Sequence, residues 1–90
     1  MNKLISFLGT SNYHEVYYTF NGKTTKQKYR FVQEAIIELF GNEWNDNVEI
    51  DIFMTKEAKN KNWLGKNKNP KAYYETGLED ELNKLMNSLN

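Results

Sequence analysis

Hydrophobic and polar positions along this chain change period at identifiable points. Leu4, Ile5, Phe7 and Leu8 form a nearly continuous apolar run of strand length, ended by Gly9. Such a run is the pattern of a strand covered on both faces, as in a parallel sheet. Further on, Val16, Tyr18 and Phe20 alternate with Glu15, Tyr17 and Thr19 up to Asn21-Gly22. Asn-Gly suits a two-residue type I′ turn, whose central residues both need positive φ, so a β-hairpin is predicted. Its register pairs Phe20 with Lys23, Tyr18 with Thr25 and Glu15 with Lys28, the last an opposite-charge pair.

From Phe31 to Phe40 the period becomes helical. Phe31, Val32, Ala35, Ile36, Leu39 and Phe40 fill one broad side, Gln33, Glu34 and Glu38 lie off it, and Ile37 falls outside the stripe, so the helix is expected to be buried more than usual. Gly41 supplies a stop. After the polar link Asn42 to Asn47, Val48, Ile50, Ile52, Phe53 and Met54 predict a second buried strand, and Thr55 can cap a short helix through Lys59 or beyond. Strand, hairpin insertion, helix and strand make a βαβ unit, whose right-handed crossover requires the two strands to be parallel. Leu64 to Tyr73, with Gly65 and Pro70, reads as a loop and as the mobile segment. Thr76-Gly77-Leu78-Glu79 then reads as a capping box opening a helix in which Leu78, Leu82, Leu85, Met86 and Leu89 share a face.

Ninety residues allow one domain, spanning residues 1–90. A chain of this length buries only about 60–65% of the surface its unfolded form exposes, so association would add to its stability. The five-residue stripe of the last helix asks for more sheet than two strands offer, which fits the first part of a longer α/β domain, or a reduced one that completes itself by association. Twelve basic and twelve acidic side chains cancel, so no overall field draws the chain to nucleic acid or an anionic membrane. Lysines 56, 59, 61, 66, 68 and 71 face only Glu57 over residues 56–71, a stretch that also fits solvated surface. Cysteine is absent, which leaves no disulfide, thiolate site or thiol nucleophile and fits a reducing cytoplasm. Leu4 to Leu8 is too short for a signal peptide, and no segment is long enough to span a bilayer.

Ligands of open α/β sheets bind beyond the carboxyl ends of the strands, which is where Gly9, Thr10, Ser11 and Asn12 fall. Gly9 permits close approach of the backbone, Thr10 and Ser11 offer hydroxyls, and Asn12 offers an amide, a set suited to phosphate or a nucleobase. Thr55 and Lys56 leave the second strand at the same edge, with Gln33 in the first turn of the intervening helix. The corner matches neither a Walker loop nor the dinucleotide fingerprint, and on composition alone a plain turn also fits.

The segments "LISFLGTSNYHEVYYTFNGK", "YRFVQEAIIELF" and "IFMTKEAKNKNW" resemble, in order and spacing, the amino-terminal part of the CARF (CRISPR-associated Rossmann fold) domain of ancillary proteins in type III CRISPR systems. The similarity covers roughly residues 3 to 63. The resemblance implies a Rossmann-like sensor that dimerises about a two-fold axis and binds cyclic oligoadenylate, a tetra- or hexaadenylate ring, in antiviral defence. Carried over, Gly9, Thr10, Ser11 and Asn12 match the first ligand-contacting corner, Arg30 and Gln33 the Arg-Phe-x-Gln segment, and Thr55 and Lys56 the exit of the second strand. Ser11 stands where relatives often have Gly, and the family's later Asp-x-Thr-His-Gly segment does not occur in the chain.

Catalytic signals are few. The HEPN ribonuclease that accompanies many such domains needs an Arg followed shortly by His. Here Arg30 and His14 stand in the opposite order with the hairpin between them. His14 can act as acid or base, although at the start of a hairpin the commoner role is that of a surface residue. No cofactor or metal cluster is predicted. Trp44, Trp63, Tyr73 and Tyr74 can stack on bases, but packing accounts for them as well. The expected function is a non-catalytic cyclic oligoadenylate sensor. The alternatives are a small ring nuclease acting on the same ligand and a dimerisation module that does not bind it.

Overall fold

The computed structural model describes residues 2–43 and 48–88; Trp44, Leu89 and most of the Asn42 to Asn47 link lie outside them. Strand β1 (Asn2–Leu8) is followed by a hairpin of β2 (Thr19–Phe20) and β3 (Lys23–Thr24), helix α1 (Val32–Phe40) and strand β4 (Val48–Met54). A short helix α2 (Lys56–Ala58) runs into a π-helical turn, Lys59–Trp63, and helix α3 (Leu78–Ser88) follows. The protein is mixed α/β, with β1 and β4 paired in parallel, in register from Asn2 with Val48 to Leu8 with Met54. Among the described residues no helix is long and apolar enough to cross a membrane.

Both long helices lie on one side of this two-stranded sheet. Leu8, Phe31, Ile37, Leu78 and Leu82 form the core, with Ile50, Ile52, Met54, Trp63, Leu85 and Met86 packed around it. Ile37 and Leu78 are wholly buried, each contributing roughly 1.5–3 kcal/mol. The opposite sheet face is bare: Phe7 is 74% exposed, Ile5 and Phe53 58% each. The expectation that β1 is covered on both faces is thereby corrected. A continuous apolar run reports how much surface wants cover, and this chain places α1 and α3 on the same side.

Helix α1 is also rotated from its expected face. Ile37, outside the stripe by periodicity, is fully buried, in keeping with the extra burial expected of this helix, while Val32 is 43% exposed and Gln33 and Glu34 are buried. The physical reason is hydrogen bonding. Gln33 donates its amide to Ser6 Oγ at 2.9 Å and to the Phe7 carbonyl at 3.0 Å, which ties the helix to β1. Glu34 accepts from the Phe31 N–H, one of the first-turn donors without a helical partner. Polar residues that satisfy one another belong inside, and a hydropathy pattern cannot register that. Gly41 does not stop the helix in a left-handed conformation; it remains right-handed and opens a 3₁₀ turn, Gly41–Glu43.

The hairpin turns at Asn21 and Gly22, both with positive φ, 50° and 79°, as Asn-Gly requires. Phe20 faces Lys23. The Thr25 N–H reaches the Tyr18 carbonyl, while Tyr18 N–H goes to the Thr25 hydroxyl. Beyond that the register slips, and Val16 pairs with Tyr29, so Glu15 and Lys28 are not opposite. Thr25 donates its hydroxyl to the Gln27 carbonyl and Lys26 gives its N–H to the Glu38 carboxylate, which bends the returning strand and takes up the extra residues.

Thr55 caps α2 by accepting the Ala58 N–H. The capping box expected at Thr76 is not formed: Thr76 donates to Glu81, Glu79 pairs with Lys68 at 2.8 Å, and Gly77 supplies the first helical carbonyl. The loop before α3 carries several internal hydrogen bonds, Lys66 N–H to the Tyr74 carbonyl and Tyr73 N–H to that of Lys61 among them.

Candidate functional site

Leu8 and Met54 are register partners at the carboxyl ends of β1 and β4, so Gly9 and Thr55 leave the sheet side by side. Gly9, Thr10, Ser11 and Asn12 are all exposed. Their backbone is nevertheless fixed from within by Asn62, which has no exposed surface. Its amide donates to the carbonyl oxygens of Gly9 at 2.8 Å and Ser11 at 3.0 Å. The π-helical turn delivers it there: the Leu64 N–H bonds back five residues to Lys59, and the extra residue in that turn sets the direction of Asn62. Such bulges are frequent at functional positions. Gly9 has no positive φ. Its requirement is space, since a Cβ at this position would stand 2.9 Å from the Tyr13 hydroxyl.

The far side of the corner rests on an aromatic group. The Tyr74 hydroxyl lies 2.8 Å from the Tyr13 carbonyl and 3.0 Å from Asn12 Oδ1, and shares its one proton between these acceptors. Phe31 stands edge-on to both Tyr13 and Tyr74, with ring centroids 5.5 and 5.9 Å away. The Arg30 guanidinium lies 4.1 Å from the Tyr74 ring centroid, a cation–π contact of about 1 kcal/mol at a half-buried site. Its Nε is buried without a hydrogen-bond partner among the described residues. Burial is the main cause raising the Tyr74 phenol above its ordinary value.

Of the residues singled out from the sequence, Gly9 to Asn12 and Thr55 share one sheet edge, and Arg30 joins them through Tyr74. Gln33 is turned inward onto Ser6 and Phe7, where it positions β1 rather than opening to solvent. Thr55 uses its hydroxyl as the α2 cap. Lys56 is exposed and borders a groove of about 400 Å³ with Glu57, Asn60, Lys61 and Lys71. His14 is exposed. Trp63 packs on the core and, with Leu82 and Met86, lines a larger groove of about 630 Å³ along β4. Among the described residues no group of three or more His, Cys, Asp and Glu side chains is placed to hold a metal ion.

Asn62, Tyr13 and the Arg30–Tyr74 contact are absent from the sequence reading. Asn62 sits in the run Lys59-Asn60-Lys61-Asn62, whose composition is that of a surface loop, so no local signal distinguishes it. Glu34 lies beneath the same region, and burial pushes its carboxyl up to about 7 against the opposing pull of the Phe31 N–H and Arg30. Comparison with family models, with curated proteins and with solved structures found no match to this chain.

Proposed function

We propose that the chain is a partial CARF-type, Rossmann-like domain that binds cyclic oligoadenylate as a homodimer and acts as a sensor in type III CRISPR antiviral signalling. The observation that carries the reading is the exposed corner Gly9–Asn12 with two of its carbonyls already tied inward by Asn62. With those oxygens occupied, the corner meets a ligand through the Thr10 and Ser11 hydroxyls and its backbone N–H groups, which have no partner among the described residues, a set that suits an anionic phosphate. Thr55 and Lys56 leave the neighbouring strand, and Lys56 adds positive charge at that edge. Arg30, stacked on Tyr74 behind Asn12, adds a second cation.

Calorimetry with cyclic tetraadenylate and cyclic hexaadenylate tests this directly. One ring bound per two chains, lost in Gly9→Val with the circular dichroism retained, is the expected result. A ring consumed during the titration identifies a ring nuclease instead, and a dimer that binds neither ring identifies a dimerisation module.

A further inference from the structure

The bare face of the sheet carries a specific pattern. Ser6 bonds to Gln33 on the covered side, so Lys3, Ile5 and Phe7 of β1 point the other way, beside Glu49, Asp51 and Phe53 of β4. Phe7 and Phe53 stack with centroids 5.8 Å apart. At the other end of the strands Lys3 lies 3.1 Å from Glu49 and 3.3 Å from Asp51. The face is therefore apolar at the corner end, charged at its base and mixed between them, where Ile5 stands beside Asp51, with the cation on β1 and both carboxylates on β4. Phenylalanines this exposed and adjacent mark a surface that another surface covers.

We infer that this face is an isologous interface with a second copy of the chain, about a two-fold axis parallel to the strands. Such an axis lays β1 of one copy over β4 of the other, at the spacing of roughly 10 Å at which sheets stack. Lys3 then faces Glu49 of the partner subunit, Ile5 faces Asp51 of the partner subunit, and Phe7 faces Phe53 of the partner subunit, each twice. An axis across the strands would instead lay Lys3 over Phe7 of the partner subunit, so the charge pattern selects the first arrangement. Exposed ion pairs contribute little energy, and here they set register while the phenylalanines drive association. The arrangement brings both Gly9–Asn12 corners out at the same end beside the axis. In that respect it deepens the shared-ring reading and rests on it, whereas the interface itself does not require a ligand.

Light scattering on the full chain without ligand is expected to show a dimer at micromolar concentration. Phe7→Asp should weaken association at least about tenfold, and Phe53→Ser should do likewise, with circular dichroism unchanged because both side chains point outward. Lys3→Glu and Glu49→Lys should each weaken the dimer by setting like charges opposite one another across the interface, and mixing the two variants should restore the association. Within either variant chain the substitution sets like charges side by side, so only pairing between chains gains from mixing. A wild-type monomer, a Phe7→Asp dimer of unchanged affinity, or a mixture no more associated than its components would overturn the interface. Ring binding by the calorimetry above separates the failures. A ring shared by two chains while Phe7→Asp still dimerises sinks this face and keeps the sensor; a face that behaves as stated without ring binding keeps the interface and sinks the sensor.

Discussion

Asn62 holds Gly9 by a 2.8 Å hydrogen bond across 53 positions of sequence, and the same amide holds Ser11 at 3.0 Å. The shape of the exposed corner thus depends on a buried side chain from the π-helical turn. Asn62→Leu removes both donors and leaves two carbonyls without partners, which costs on the order of 2–3 kcal/mol. Urea denaturation should report that loss, and calorimetry should show that the surviving folded protein no longer binds the ring. Unchanged stability in this variant would show that the corner holds its shape without Asn62.

Close approach at two glycines makes opposite demands. At Gly9 an added Cβ meets only the Tyr13 hydroxyl, the movable end of a side chain, so Gly9→Ala should keep the fold and alter the corner. At Gly77 the same atom would run into the Trp63 carbonyl, which is backbone and cannot yield cheaply. Gly77→Ala should therefore lower stability by about 1–3 kcal/mol, with a lower thermal midpoint. Equal effects of the two substitutions would contradict the packing at Gly77.

Glu34 predicts a particular dependence on pH. Its folded-state value of about 7 stands above the ordinary 4.5, so between these limits the folded protein keeps a proton that the unfolded chain has lost. Folding takes up that proton, and the contribution of Glu34 to stability falls as pH rises through the window and is level above it. The change is on the order of 3 kcal/mol. Glu34→Gln keeps an oxygen for the Phe31 N–H and has no proton to lose, so its stability should be flatter over the same range. Parallel curves for the two proteins, measured by urea unfolding, would assign the pH dependence elsewhere.

The order of His14 and Arg30 leads to a prediction about chemistry. The two residues cannot supply the Arg-then-His arrangement of a HEPN ribonuclease, and His14 stands exposed at the start of the hairpin. Purified protein with cyclic oligoadenylate should leave single-stranded RNA intact on a denaturing gel over hours. Specific cleavage that disappears in His14→Ala would reverse this expectation.

What the sequence determined by itself is what short-range chemistry determines. Asn21-Gly22 needs positive φ wherever it occurs, Thr55 can cap whatever helix follows it, and a βαβ order leaves β1 and β4 parallel, all of which the structure contains. Tertiary structure decided which faces these elements bury. The stripe of α1 pointed to Val32 and away from Ile37, yet Gln33 and Glu34 found partners inside and turned the helix over. The hairpin register slipped because Lys26 and Tyr29 bond to Glu38, a residue of another element. Gly9 to Asn12 were legible as a corner from their composition, whereas Asn62 and Tyr74, which hold it, were not. A hydrogen bond between residues more than fifty positions apart leaves no periodicity in either segment, and only the folded chain brings its two ends together.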